Sequence, residues 1–331
     1  MRKVVLAPLM ATLTLLGVSV APSGLGGGPQ MDGVTRARAI TDTYLPAPVC
    51  YSTTSSKVKA PIEVCRPWKP MDAWSGRPFA VLTTTFAPSA QAPTVVAYVA
   101  WIRTSRTLLS LYPGYEGPGA TSPGVNRGPE MVPPAASTDL LATFNSGFYE
   151  ADGAGGFYTH HTLYFPMIKG LATVVRYTNG KVNVVSWSGG ARPGATVLMA
   201  RQNLPLLVSN ARATPLSSQN QMWGLTLHGL AAVWRTALGV DARGNLLYVA
   251  APAQTSSSLA SIMVRLHAVR AMELDINPEW PIFVTYAARG ARGPALFVPN
   301  PNQIPNRFLY SSTKDFFAEY ISQHPGAPQP W

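Results

Sequence analysis

From Phe79 onward the apolar positions of the chain fall in short β-rich runs separated by Gly and Pro, not in long helical stripes. Val95 to Ile102 (Val-Val-Ala-Tyr-Val-Ala-Trp-Ile) and Thr107 to Tyr112 are the first of these runs. A Gly/Pro-rich loop follows from Pro113 to Pro134, and Leu140 to Asn145 then reads as a strand entering a Ser-Gly turn. Ala172 to Thr178 and Lys181 to Trp187 flank Asn179-Gly180, the pair a two-residue type I′ hairpin demands. A second hairpin joins Val233–Val240 to Asn245–Ala251 through Asp241-Ala-Arg-Gly244, with Asp241 capping its own turn.

The period changes once. Leu259, Ile262, Met263 and Leu266 fall on one helical face behind an N-cap from Ser256–Ser258. Strand Asn245–Ala251, helix Ser258–Ala268 and strand Val269–Ile276 therefore make one crossover unit, which places Asp275 and Asn277 at the C-terminal end of a parallel strand. A last helix is predicted over Lys314–Ser322, with Phe316, Phe317, Tyr320 and Ile321 on one side. The expected fold class is α+β: a mixed, largely antiparallel sheet with hairpins, one β-α-β crossover and flanking helices.

The N-terminus sets the organisation. Arg2 and Lys3 precede an apolar run from Val4 to Val20, the pattern of a secretory signal or of an uncleaved N-terminal anchor over 1–21. The protein is thus expected to be secreted or anchored at the extracellular side of a membrane. Residues 22–76 read as a Pro/Gly-rich linker and cap, 77–323 as the main domain and 324–331 as a Pro-rich tail. Cys50 and Cys65 are the only cysteines, and in an exported chain they read as one disulfide stapling the cap.

The net charge of +11 comes from scattered basic residues with no Lys/Arg run or stripe, so no nucleic-acid partner is expected. The charge suits either a general solubility role or attraction to an anionic envelope or substrate. No nucleophile elbow, zinc-protease helix, P-loop or dinucleotide fingerprint is present, and no cofactor is called for; a divalent-cation requirement stays open. His160-His161 would lie on opposite faces of a strand, which disfavours a shared metal.

Arg270-Ala-Met-Glu-Leu-Asp275-Ile-Asn277 carries the densest chemistry. Glu273, Asp275 and Asn277 share one strand face in a chain with only 15 acidic residues, and burying a carboxylate costs unless it is paired or used. From pattern alone the acids suit either a structural or a catalytic role. Arg235 shares a face with Ala237 and Gly239, which leaves room for a ligand; an ion pair with an acid is the other reading.

Three stretches in this order resemble the phosphodiester glycosidase family: Asn145-Ser-Gly-Phe-Tyr149, Arg235-Thr-Ala-Leu-Gly239-Val-Asp241, and Arg270-Ala-Met-Glu-Leu-Asp275. The resemblance implies hydrolysis of a sugar-1-phosphate diester in an envelope or extracellular glycan. It makes Asp275 and then Glu273 the candidate catalytic carboxylates, and Asn145, Gly147, Arg235 and Thr236 the substrate-binding residues. Where the family continues with a glycine turn, this chain has Ile276-Asn-Pro-Glu-Trp280, so Asn277 and Trp280 would supply an amide and a stacking platform instead. The alternative is a non-catalytic envelope protein that binds a glycan or an anionic wall polymer on the same fold.

Overall fold

In a computed structural model, residues 45–55, 58–118, 127–224, 229–322, 324 and 330 are described. The expected signal or anchor segment, the expected linker up to residue 44 and most of the tail lie outside them. The chain order is β1 (Val49–Ser55), β2 (Val58–Arg66), β3 (Lys69–Pro70), β4 (Val81–Phe86), β5 (Ala97–Ile102), β6 (Thr107–Tyr112) and β7 (Leu140–Asn145). Then come β8 (Phe157–Thr159), β9 (Thr162–Phe165), β10 (Ala172–Tyr177), β11 (Val182–Ser186), β12 (Val197–Gln202), β13 (Val208–Ser209) and β14 (Arg212–Ala213). The last part holds β15 (Val233–Val240), β16 (Leu246–Gln254), α1 (Ser256–Arg265), β17 (Arg270–Glu273), β18 (Phe283–Ala288), β19 (Arg292–Leu296) and β20 (Phe316–Ile321).

These strands form an eight-stranded sheet, β14-β13-β17-β15-β16-β5-β4-β3, and two five-stranded sheets, β11-β10-β12-β8-β9 and β19-β18-β7-β20-β6. β1 and β2 make a separate two-stranded ribbon in which Cys50 faces Cys65, and the two are disulfide-bonded. The three large sheets meet around one core. β16 shows how the sequence serves it: Leu246, Tyr248 and Ala250 enter that core, while Leu247, Val249 and Ala251 pack on the opposite face with α1.

The fold is therefore mostly β, which corrects the α+β expectation. α1 is the only α-helix among the described residues, and the predicted helix over 314–322 is strand β20. β20 lies between β7 and β6 and is covered on both faces: Phe317 enters the central core, and Phe316 and Tyr320 the core behind the sheet. A strand buried on both faces loses its alternation, and its apolar run then mimics a helix.

Other expectations hold in place. β10 and β11 pair across Asn179-Gly180, and β15 and β16 pair across a turn whose Arg243 and Asn245 N–H groups donate to Asp241 Oδ1 at 2.8 and 2.9 Å. The crossover β16-α1-β17 exists, with β15 inserted between its two strands and antiparallel to both. α1 starts two residues earlier than predicted, on a capping box between Thr255 and Ser258. Gly239 is what lets α1 close on the sheet, since a Cβ there would lie 2.6 Å from Met263 Cε and 2.8 Å from the Arg270 carbonyl.

Candidate functional site

The candidate site lies where the end of β7, the start of β15, the end of β17 and the segment before β20 come together. Past Glu273 the β15–β17 pairing slips. Leu274 N–H donates to the Thr236 carbonyl at 2.8 Å, and Thr236 N–H donates to the Asp275 carbonyl at 2.9 Å, so two consecutive residues face one. This bulge-like step breaks the alternation that would keep Asp275 on the face of Glu273. Thr236 Oγ1 locks it, accepting from Asp275 N–H at 2.8 Å and from Asn145 Nδ2 at 3.0 Å. Asn145 is buried and fully engaged: its Oδ1 accepts from the Tyr248 hydroxyl at 2.8 Å, and its amide also donates to the Ser146 carbonyl. Asn145 and Thr236 thus hold the site's frame together.

Asp275 is 2% exposed and ion-paired to Lys314 Nζ through Oδ2, while its Oδ1 accepts from Asn277 N–H at 2.9 Å. Burial pushes the Asp275 carboxyl up, and the Lys314 ammonium opposes that shift. Two half-buried rings flank the ammonium, Tyr149 at 4.5 Å and Trp280 at 5.1 Å, and Arg307 stacks on Trp280 at 5.1 Å. These groups border a shallow, open cleft lined by Asn145, Ser146, Trp280, Arg307, Lys314 and Asp315. The Ser146 hydroxyl is buried there with no hydrogen-bond partner. A polar atom left this way at the wall of a cleft is suited to a ligand.

A second buried ion pair sits beneath. Arg201 Nε meets Asp315 Oδ2 at 2.7 Å with both side chains fully buried, and the same guanidinium donates to the Phe148 carbonyl at 2.6 Å. One planar fork therefore fixes the residues next to both Lys314 and Tyr149. Trp280 is presented by a turn in which its N–H donates to the Asn277 carbonyl at 3.0 Å, with Asn300 bonded to the carbonyls of Pro278 and Pro281. Asn277, expected to offer an amide to a ligand, spends its Oδ1 on Glu279 N–H inside this turn.

Three expected site residues stand elsewhere. Arg235 and Glu273 are fully buried and paired with each other at 2.7 Å, on the face of β15 opposite Thr236. Arg235 also donates to the carbonyls of Gln254 and Trp223 and to Asn220 Oδ1 at 2.9–3.0 Å, so it staples the start of α1 and leaves no fork for a phosphate. Desolvation raises the Glu273 carboxyl, and Arg235 counters it; this acid is a structural partner outside the cleft. Gly147 exposes no N–H to a ligand either: it is buried, and a Cβ there would lie 2.9 Å from Asn203 Cγ. Asn203 uses the close approach to accept from Phe148 N–H and to donate to the carbonyls of Glu273 and Leu274.

Lys314, Arg201, Tyr149, Ser146 and Arg307 were not singled out in the sequence. Tyr149 and Ser146 lie inside the Asn145–Tyr149 motif, which was signal enough to find them. Lys314 and Arg201 had none: Lys314 precedes β20 and Arg201 lies within β12, and only the fold brings either to Asp275 or Asp315. His160 and His161 form the β8–β9 turn, with φ of 48° and 57°, and not a strand. Among the described residues, the one set of three ligating side chains close enough to share an ion is Cys50, Glu63 and Cys65, whose sulfurs already form the disulfide.

Residues 139–275 match the sequence model of the phosphodiester glycosidase family. The match bears out the resemblance read from the three motifs, all of which fall inside it or at its edge. Among solved structures, the catalytic domain of zebrafish N-acetylglucosamine-1-phosphodiester alpha-N-acetylglucosaminidase, described as auto-inhibited by its pro-peptide, is similar at 13% identity. That alignment covers 77% of this chain and 88% of the other, with a TM-score of 0.47. A hypothetical protein from Synechocystis is similar at 11% identity over 83% of this chain and 68% of its own, with a TM-score of 0.44. No curated protein matches the chain by sequence.

Proposed function

We propose that this chain is an exported hydrolase that cleaves the glycosidic bond of a sugar-1-phosphate diester in an envelope or extracellular glycan. The observation that carries the reading is the buried Asp275–Lys314 pair, whose Lys314 lines the cleft and is flanked by Tyr149 and Trp280. Lys314 and Arg307 supply positive charge for the phosphodiester, taking the part the sequence had given to Arg235. Trp280 and Tyr149 offer apolar faces to the sugar ring. Water attacks the anomeric carbon, its proton passes to Asp275 as general base, and the bond from that carbon to the phosphate oxygen breaks. The leaving group is a phosphomonoester, a good one beside two cations, so a second carboxylate acting as acid is not required. The Arg2-Lys3 and Val4–Val20 pattern supports export.

Hydrolysis of a sugar-1-phosphate diester in H₂¹⁸O checks the chemistry. The expected label appears in the free sugar; label in the phosphate would mean P–O cleavage and a different reaction. One observation favours a glycan-binding protein without turnover: both Asp275 oxygens are already engaged, by Lys314 and by Asn277 N–H. That reading gains if the diester binds in the cleft and no sugar is released.

A further inference from the structure

A second cleft lies away from this site. It opens between the residues leading into β1, the β15–β16 turn and the C-terminal end of α1. Thr236 lies in β15 and Asp241 just past its end, on opposite faces of the strand and five residues, about 16 Å, apart along it. Trp68 forms one wall, half-buried, with its indole Nε1 held on the Ala47 carbonyl at 2.9 Å. Arg243, Arg265 and His267 stand exposed around the rim.

The charge in this cleft is one-sided. Its single acid, Asp241, already accepts from Trp101 Nε1 at 3.0 Å, from Asn245 Nδ2 at 3.1 Å and from two backbone N–H groups. A carboxylate so engaged is a fixed part of the turn, while Arg265 and His267 are exposed beside it. The walls are also held in advance. The Cys50–Cys65 bond closes the ribbon whose entry, Pro46–Val49, lines the cleft, and Arg265 stacks on Phe86 at 5.8 Å while donating to the Pro88 carbonyl.

We propose that this cleft is a second binding site, for an anionic glycan chain, with a sugar ring against Trp68 and its acidic substituents on Arg265, His267 and Arg243. An aromatic wall beside the exposed Arg265 guanidinium fits that ligand better than a neutral sugar, which would make no use of that charge, or a free anion, which would leave the ring unused. The site would hold a polymer while the distant cleft acts on one of its bonds, and it binds whether or not that cleft is catalytic.

The test is titration of the full chain with pentamannose 6-phosphate and with unphosphorylated pentamannose. The phosphorylated probe is expected to bind at least about tenfold more tightly. Trp68→Ala and, separately, the surface change Arg265→Glu should each weaken it by about tenfold, whereas Asp275→Asn should leave it unchanged. Equal binding of the two probes, no binding of either, or indifference to Arg265→Glu overturns the proposal. So does a loss of binding that follows Asp275→Asn, which would put the probe in the other cleft.

Discussion

Lys314 changes what Asp275 can be. An acid that pattern alone left between a structural and a catalytic role has for a partner a buried cation that lines a cleft and has two rings beside it. Replacing Lys314 by Met should therefore abolish diester binding in the cleft, measured by calorimetry, and leave Asp275 buried without its counter-charge. Arg235 moved the other way. Its small strand neighbours, Ala237 and Gly239, suggested room for a phosphate, but the alternative of an ion pair is what the protein uses. Arg235→Met should cost about 3–5 kcal/mol in chemical denaturation, because it strands Glu273 in the core. A phosphate-binding role for Arg235 predicts the opposite pattern: a raised KM with little change in stability.

At the scale of elements, the legible parts were those whose signals are local. Asn179-Gly180 announced a hairpin, Asp241 its own turn, and the i, i+3, i+4, i+7 series its helix, because each depends on residues within one turn or one strand pair. β20 was misread because sheet neighbours bury both of its faces, and that is a long-range fact. The same burial makes a prediction. Glu319 lies fully inside β20, and desolvation pushes its carboxyl up to about 8, with Thr107 and Arg176 offsetting only part of that. Between an unfolded pKa near 4.5 and this folded value the native state binds the extra proton, so this group's contribution to stability falls as pH rises through that window and levels off above it. Glu319→Gln should remove that slope. Melting curves from pH 5 to 8 are expected to show the variant gaining on the parent as pH rises; parallel curves would mean that Glu319 stays ionised throughout.

Across the whole molecule, two regions carry different duties. The β1–β2 ribbon packs Val49 and Tyr51 on the α1 side of the large sheet, remote from the Asp275 cleft. Reducing Cys50–Cys65, which closes a separation of 15 residues, should lower stability by about 3 kcal/mol in the entropic account and leave diester turnover intact. The sequence motifs pointed to the cleft because Asn145 and Ser146 line it and Asp275 pairs with its Lys314, yet they could not supply its second wall, which comes from 307–315. The central claim is that the Asp275–Lys314 cleft hydrolyses sugar-1-phosphate diesters. It is tested most directly by measuring free sugar released from a panel of such diesters by the parent chain and by Asp275→Asn. The account predicts release by the parent and a fall of at least about 100-fold in the variant, the cost of losing a general base. No release from any diester, or equal release by the two proteins, would contradict it.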